Sequence, residues 1–237
     1  MQAVFRTLCL CFFFVLPCRT LSVRVWAQQA PPRGQAVAPA EARAHDQLVG
    51  MQLPAVLIVQ DPANYRALLA ARQRLGWQEA LAVLTEQDIH TNSERARRAL
   101  ATLQVQVPAG QPVPAFVQQL AQRHPGLGVY LSALDNPTRY PELKDKLYVT
   151  GLTYQFGLQP VANVEVLMQR WRGGHYGNFA DEVRVPTAED LPYFYPLLVL
   201  AQAHRARGEE QLARQYRLHA AALATRLNRP DLMPYLP

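Results

Sequence analysis

Cysteine, serine and lysine are scarce in this 237-residue chain. No apolar run approaches the roughly 18 to 20 residues a membrane-spanning helix needs, which excludes a multi-pass protein. The three cysteines, Cys9, Cys11 and Cys18, all fall in the opening segment MQAVFRTLCLCFFFVLPC. Arg6 followed by the apolar stretch Leu8 to Cys18 has the layout of an export signal, and it is too short to cross a bilayer as a helix. Val25-Trp26-Ala27 predicts cleavage after Ala27, and Pro17 before Cys18 departs from a lipobox. The expected location is therefore periplasmic or secreted. Without the leader no cysteine remains, which excludes a disulfide framework, a thiolate metal site and a cysteine nucleophile. Arg6, Arg19 and Arg24 leave with it, so the formal charge falls from +6 to +3. Export and this modest, scattered charge disfavour nucleic acid as a partner.

Other reactive groups are equally sparse. Beyond the leader only Ser93 and Ser132 carry a serine hydroxyl, and neither stands in a G-x-S-x-G elbow. Lys144 and Lys146 are the only lysines, both in a polar segment. The six histidines never fall at ligand spacing, and no HExxH or calcium loop occurs. Gly126-Leu127-Gly128 lacks the third glycine of a dinucleotide fingerprint, and no phosphate-cradling loop is present. No cofactor is expected.

What the chain does have is alternation of element types. Gln28 to Gln47, rich in Pro, Ala and Gln, reads as a flexible tether. Leu53 to Gln60 is a continuous apolar, β-branched run, as in a strand buried on both faces. Asp61 and Pro62 then start a helix ending near Gly76. Ala80 to Thr85 fits a second strand, although WQEALAVL also satisfies helical spacing. Helices are expected from Asn92 or Ser93 to Leu103 and from Pro112 to Arg123, with a short strand at Gln104 to Val107 between them. Leu127 to Leu134 reads as a strand, Pro141 to Lys146 as a helical turn, Leu147 to Phe156 as extended, and Asn163 to Trp171 as a helix. Two helices, Ala188 to Arg207 and Glu209 to Leu227, turn at Gly208 and close the chain.

This pattern predicts an α/β domain over 48–185, with a small, largely parallel sheet flanked by helices. A tetratricopeptide-like helical hairpin over 186–237 should pack on it, since one such unit cannot bury its own face. Ala201, Ala213 and Ala220 would let its helices approach, with Leu197, Leu200, Leu212, Tyr216 and Leu223 supplying bulk.

The candidate ligand-binding residues are Asp61, Asn64, Asp135, His175, Tyr176 and Asn178. Ligands of open α/β sheets gather beyond the carboxyl ends of strands, where Asp61 stands, although a helix cap is its simpler use. The loop Arg172 to Asn178 has the glycines and mixed polarity of a binding loop, or of a plain connector. Tyr193, Phe194 and Tyr195 could present an aromatic platform or pack a helix start.

From Leu127 onward the order of pieces looks familiar. LGVYLSAL, then LKDKLYVTGLTYQFGLQP, then VEVLMQRWRGGHYGN resembles the soluble C-terminal region of the bacterial protein O-mannosyltransferase-like glycosyltransferases, a multi-pass membrane family. Val129-Tyr130, Gly151-Leu152 with Tyr154, Leu167-Met168 and Gly177-Asn178 carry the likeness. More loosely, Ala55 to Tyr65 with its Asp61 turn does too. The resemblance implies an extracytoplasmic α/β part followed by tetratricopeptide-like helices. The family's catalytic acids belong to a membrane core that this chain lacks, so no catalytic residue carries over. The expectation is an exported, non-catalytic binding or accessory domain of the cell envelope, with an envelope protein, a glycan or a membrane glycosyltransferase as partner. The alternatives are a carbohydrate-active enzyme using Asp61 with Asp135, whose carboxylates would need to stand about 5 to 9 Å apart, and a helical interaction module using the C-terminal hairpin.

Overall fold

A computed structural model describes residues 39–106, 110–132, 139–172 and 186–236. Its centre is β1 (Ala55–Val59), AVLIV, every residue of which is buried. Parallel neighbours lie on both sides: β2 (Leu81–Thr85) pairs from Ala55↔Leu81 to Val59↔Thr85, and β3 (Gly128–Leu131) from Ala55↔Gly128 to Ile58↔Leu131. The sheet then changes sense. β4 (Leu147–Val149) and β5 (Tyr154–Phe156) form an antiparallel hairpin, and β5 runs antiparallel to β3, giving the order β2-β1-β3-β5-β4. The sheet is thus mixed. The expected largely parallel sheet is corrected to a parallel half and an antiparallel half, because the single extended stretch Leu147 to Phe156 folds back on itself at Thr150 to Thr153.

Side chains alternate across a strand, and here the two faces sort cleanly. Leu57 and Val59 face one layer with Val83 and Tyr130. Two helices cover that layer: α1 (Pro39–Leu48) and α2 (Pro62–Arg74), through Ala44, Leu48, Tyr65, Leu68 and Ala71. Val56 and Ile58 face the other, larger layer with Leu84, Val129 and Leu131. This side is covered by α3 (Glu86–Thr91), α4 (Glu94–Thr102), α5 (Val113–Arg123), α6 (Asn163–Arg172) and the closing pair, α7 (Phe194–Ala206) and α8 (Glu210–Arg226). Leu197, Leu200, Tyr216 and Leu223 of the closing pair belong to the same buried cluster as the strands. The hairpin is therefore continuous with the core, and residues 36 to 237 group as one unit.

Three expectations are corrected. The tether read over Gln28 to Gln47 gives way, within the described residues, to α1, where Ala42, Ala44 and Leu48 are buried. Its Pro and Ala content concealed an amphipathic turn pattern. Gln104 to Gln106 forms no strand; Gln104 takes a left-handed φ of 56° and ends α4, while the amide of Val105 bonds Leu100 O. Leu212, expected between the hairpin helices, is exposed. Of the two readings of the aromatic cluster, Tyr193 and Phe194 follow the packing of a helix start, since both are buried. Tyr193 donates its hydroxyl to Asp46 Oδ2 at 2.6 Å, fastening the start of α7 to α1.

Candidate functional site

β1 leaves for β2 on one side through α2, and the chain later reaches β3 on the other side of β1 through α3 to α5. That reversal opens a switch point beyond the carboxyl ends of β1 and β3, the general ligand position of open α/β sheets. The polar residues that emerge there are joined. The Gln60 amide donates to Ser132 Oγ at 3.4 Å, and Gln60 Nε2 donates to the Tyr140 hydroxyl at 3.4 Å. Tyr140 donates in turn to Glu86 Oε1 in a short hydrogen bond. Arg139 grips the same carboxylate with two nitrogens, Nε at 2.9 Å from Oε1 and Nη2 on Oε2. Such fork geometry is the strong form of carboxylate recognition.

Burial alone would raise the Glu86 carboxyl, but the hydrogen bonds from Arg139 and Tyr140 outweigh it and hold it below the usual range. Burial and the hydrogen bond to Glu86 push Tyr140 up to about 12. Arg139, held by Glu86, is raised further still. At neutral pH the cluster is carboxylate, guanidinium and neutral phenol. These groups border an open cleft of about 500 Å³ whose wall also includes His90, Pro112, Val113, Pro114 and Glu142.

Beside it lies a second, closed knot. Asp88, 2% exposed, accepts from the Thr85 amide at 2.9 Å, Thr85 Oγ1 at 2.7 Å and Ser93 Oγ at 2.7 Å. Arg95 Nη2 reaches its two oxygens at 2.6 and 2.7 Å. The Asp88 amide returns a bond to Thr85 Oγ1, which completes a capping box at the start of α3. Arg95 also lies 4.8 Å over the Tyr65 ring, tying α4 to α2. Burial would raise Asp88, yet the bonds from Ser93, Thr85 and Arg95 leave it lowered. Its acceptor capacity is spent inside the fold, so its work is to fix the start of α3, which carries Glu86.

Of the residues expected at a site, Asp61 stands at this same end of the sheet. It caps α2, accepting from the Ala63 amide at 2.9 Å and the Asn64 amide at 3.3 Å. Asn64 is half-buried, and its Oδ1 is buried without a hydrogen-bond partner. Asp135, His175, Tyr176 and Asn178 lie outside the described residues. β1 and β3 are parallel neighbours, so the segments that follow them start from the same end of the sheet. The polar cleft itself was not foreseen. Its sequence signal is Thr85-Glu86-Gln87-Asp88, a helix-capping pattern directly after an apolar run, hidden by the helical reading of WQEALAVL.

Among the described residues, no group of three or more His, Cys, Asp or Glu could hold a metal ion, and no helix is long and apolar enough to cross a membrane. Compared with family models, curated proteins and solved structures, the chain matches none.

Proposed function

We propose that this chain is an exported, non-catalytic binding or accessory domain of the cell envelope, and that it receives a glycan in the cleft beyond the carboxyl ends of β2 and β3. The carrying observation is the Glu86–Arg139–Tyr140 cluster at the rim of that cleft. A sugar hydroxyl can donate to a carboxylate and accept from a guanidinium at once, and this pair offers both. Pro112, Val113 and Pro114 supply apolar surface for the C–H face of a ring. The same electrostatics favour binding over turnover. A general acid or base works best with a pKa near the operating pH, whereas Glu86 is held low and Tyr140 high.

The export reading rests on the leader sequence. The kinship with the soluble part of the O-mannosyltransferase-like glycosyltransferases rests on the motifs from Leu127 to Asn178. It is supported by the order strand, hairpin, helix, helical pair seen in β3, β4–β5, α6 and α7–α8. The tetratricopeptide-like character of that last pair belongs to the same proposal. A membrane glycosyltransferase of the envelope is the natural protein partner on this reading.

The test is a pull-down from envelope extracts with the purified protein and its Arg139→Gln variant. The native protein should retain a specific glycan-bearing fraction that the variant loses. No specific retention, or equal retention by both, would overturn the proposal.

A further inference from the structure

A second cleft, of about 390 Å³, lies between α4 and α5 above β2. Among the described residues it shares no lining residue with the polar cleft. Its floor is apolar, from Leu84 of β2, Ile89 of α3, Ala96 and Leu100 of α4, Val105, and Phe116 of α5, and its rim is polar and includes Asn92 and Gln106. All six are buried, so they form the floor of the cleft beneath its open mouth. The cause is local. Ala96 and Leu100, four residues apart, share the inward face of α4. The smaller of them leaves space that a longer side chain would fill.

Two guanidinium groups, Arg97 and Arg123, line the same cleft. Arg97 already holds Glu94 at 2.6 Å. Arg123, in the last turn of α5, has no ion-pair partner among the described residues. Asp88, the one acidic residue among the described lining residues, is neutralised by Arg95. An apolar floor under a polar rim that carries an unspent cation fits a chain of methylenes ending in an anion.

We infer that this cleft binds a single-chain anionic amphiphile, with its hydrocarbon along Ala96, Leu100 and Phe116 and its carboxylate at Arg123. The site is independent of the glycan proposal.

Calorimetric titration with hexanoate, octanoate, decanoate and 1-decanol, below micellar concentrations, tests it. Affinity should rise about fourfold per added methylene until the cleft is full. Arg123→Gln, an exposed position, should weaken decanoate about threefold and leave decanol unchanged. Ala96→Leu, which fills the cleft, should abolish both while the protein still melts cooperatively. Ala96→Val is the milder filler should the leucine variant fail to fold. Binding without chain-length dependence, or binding that survives both fillers, would overturn the inference. So would an acidic peptide that binds in a filler-sensitive way where decanoate does not.

Discussion

Replacing Asp88 tests whether the start of α3, which borders the polar cleft, is held as described. Asp88→Ala removes the capping box of α3, a loss of about 1 kcal/mol. It also strands the Ser93 hydroxyl, whose bond to a buried carboxylate contributes about 1.5 kcal/mol. The Arg95 pair adds less than its geometry suggests, because the Arg95 side chain is 56% exposed; about 0.5 kcal/mol is a fair share. The expected cost is about 3 kcal/mol, which at a urea slope of about 2 kcal/mol/M lowers the midpoint by about 1.5 M. Fluorescence of Trp77 and Trp171 can report the transition. The pH dependence follows from the depressed carboxyl. A group held below its unfolded value stabilises the fold fully above that value, about 4 for aspartate, and loses its contribution as pH falls through the folded value. Asp88→Asn should therefore cost most at pH 6 to 7, and converge on the native protein as the pH falls below about 4. A loss under about 1 kcal/mol at neutral pH, or one equally large at pH 3, would mean that Asp88 does not hold the start of α3.

Other outcomes follow from the same structure. Leu57→Ala, at a fully buried position of the central strand, should cost about 2 to 5 kcal/mol in chemical denaturation; a cost below about 1 kcal/mol would mean that β1 is not the core. Gly128→Ala places a methyl 2.8 Å from Gln52 O and 2.7 Å from a Tyr130 ring carbon, and should lower the melting temperature, whereas Gly126→Ala, in open space, should not. Tyr140→Phe removes one of the bonds that depress Glu86, so the Glu86 carboxyl followed by NMR should titrate at higher pH than in the native protein. Mass spectrometry of exported protein should find Gln28 at the N-terminus and no cysteine.

Much of the architecture was legible in the residues, for identifiable reasons. β1 announces itself because a strand buried on both faces has no polar alternation to dilute it, and α2 because Asp61 and Pro62 spell its first turn. Gly208, at φ 74°, marks the hairpin turn as expected. The sheet's change of sense was not legible. Three-residue strands such as β4 and β5 are too short to carry a period, and the pairing of β5 with β3 spans more than twenty residues of chain. Helix α1 was masked by its composition: Arg43, Asp46 and Gln47 are polar yet buried, against the usual habit of such residues. The candidate site was half legible. The strand-end rule placed Asp61 at the end of the sheet where the polar cleft opens, and there it caps α2. Arg139, by contrast, meets Glu86 across 53 positions of chain, a contact that no local pattern encodes.

The most direct test of the central claim is a glycan array probed with the purified protein and its Arg139→Gln variant, with the sugars recovered afterwards for mass analysis. The native protein should retain a defined set of glycans, the variant should lose them, and the recovered sugars should be unaltered in mass. Equal retention by the two proteins, retention by neither, or shortened sugars would contradict that claim.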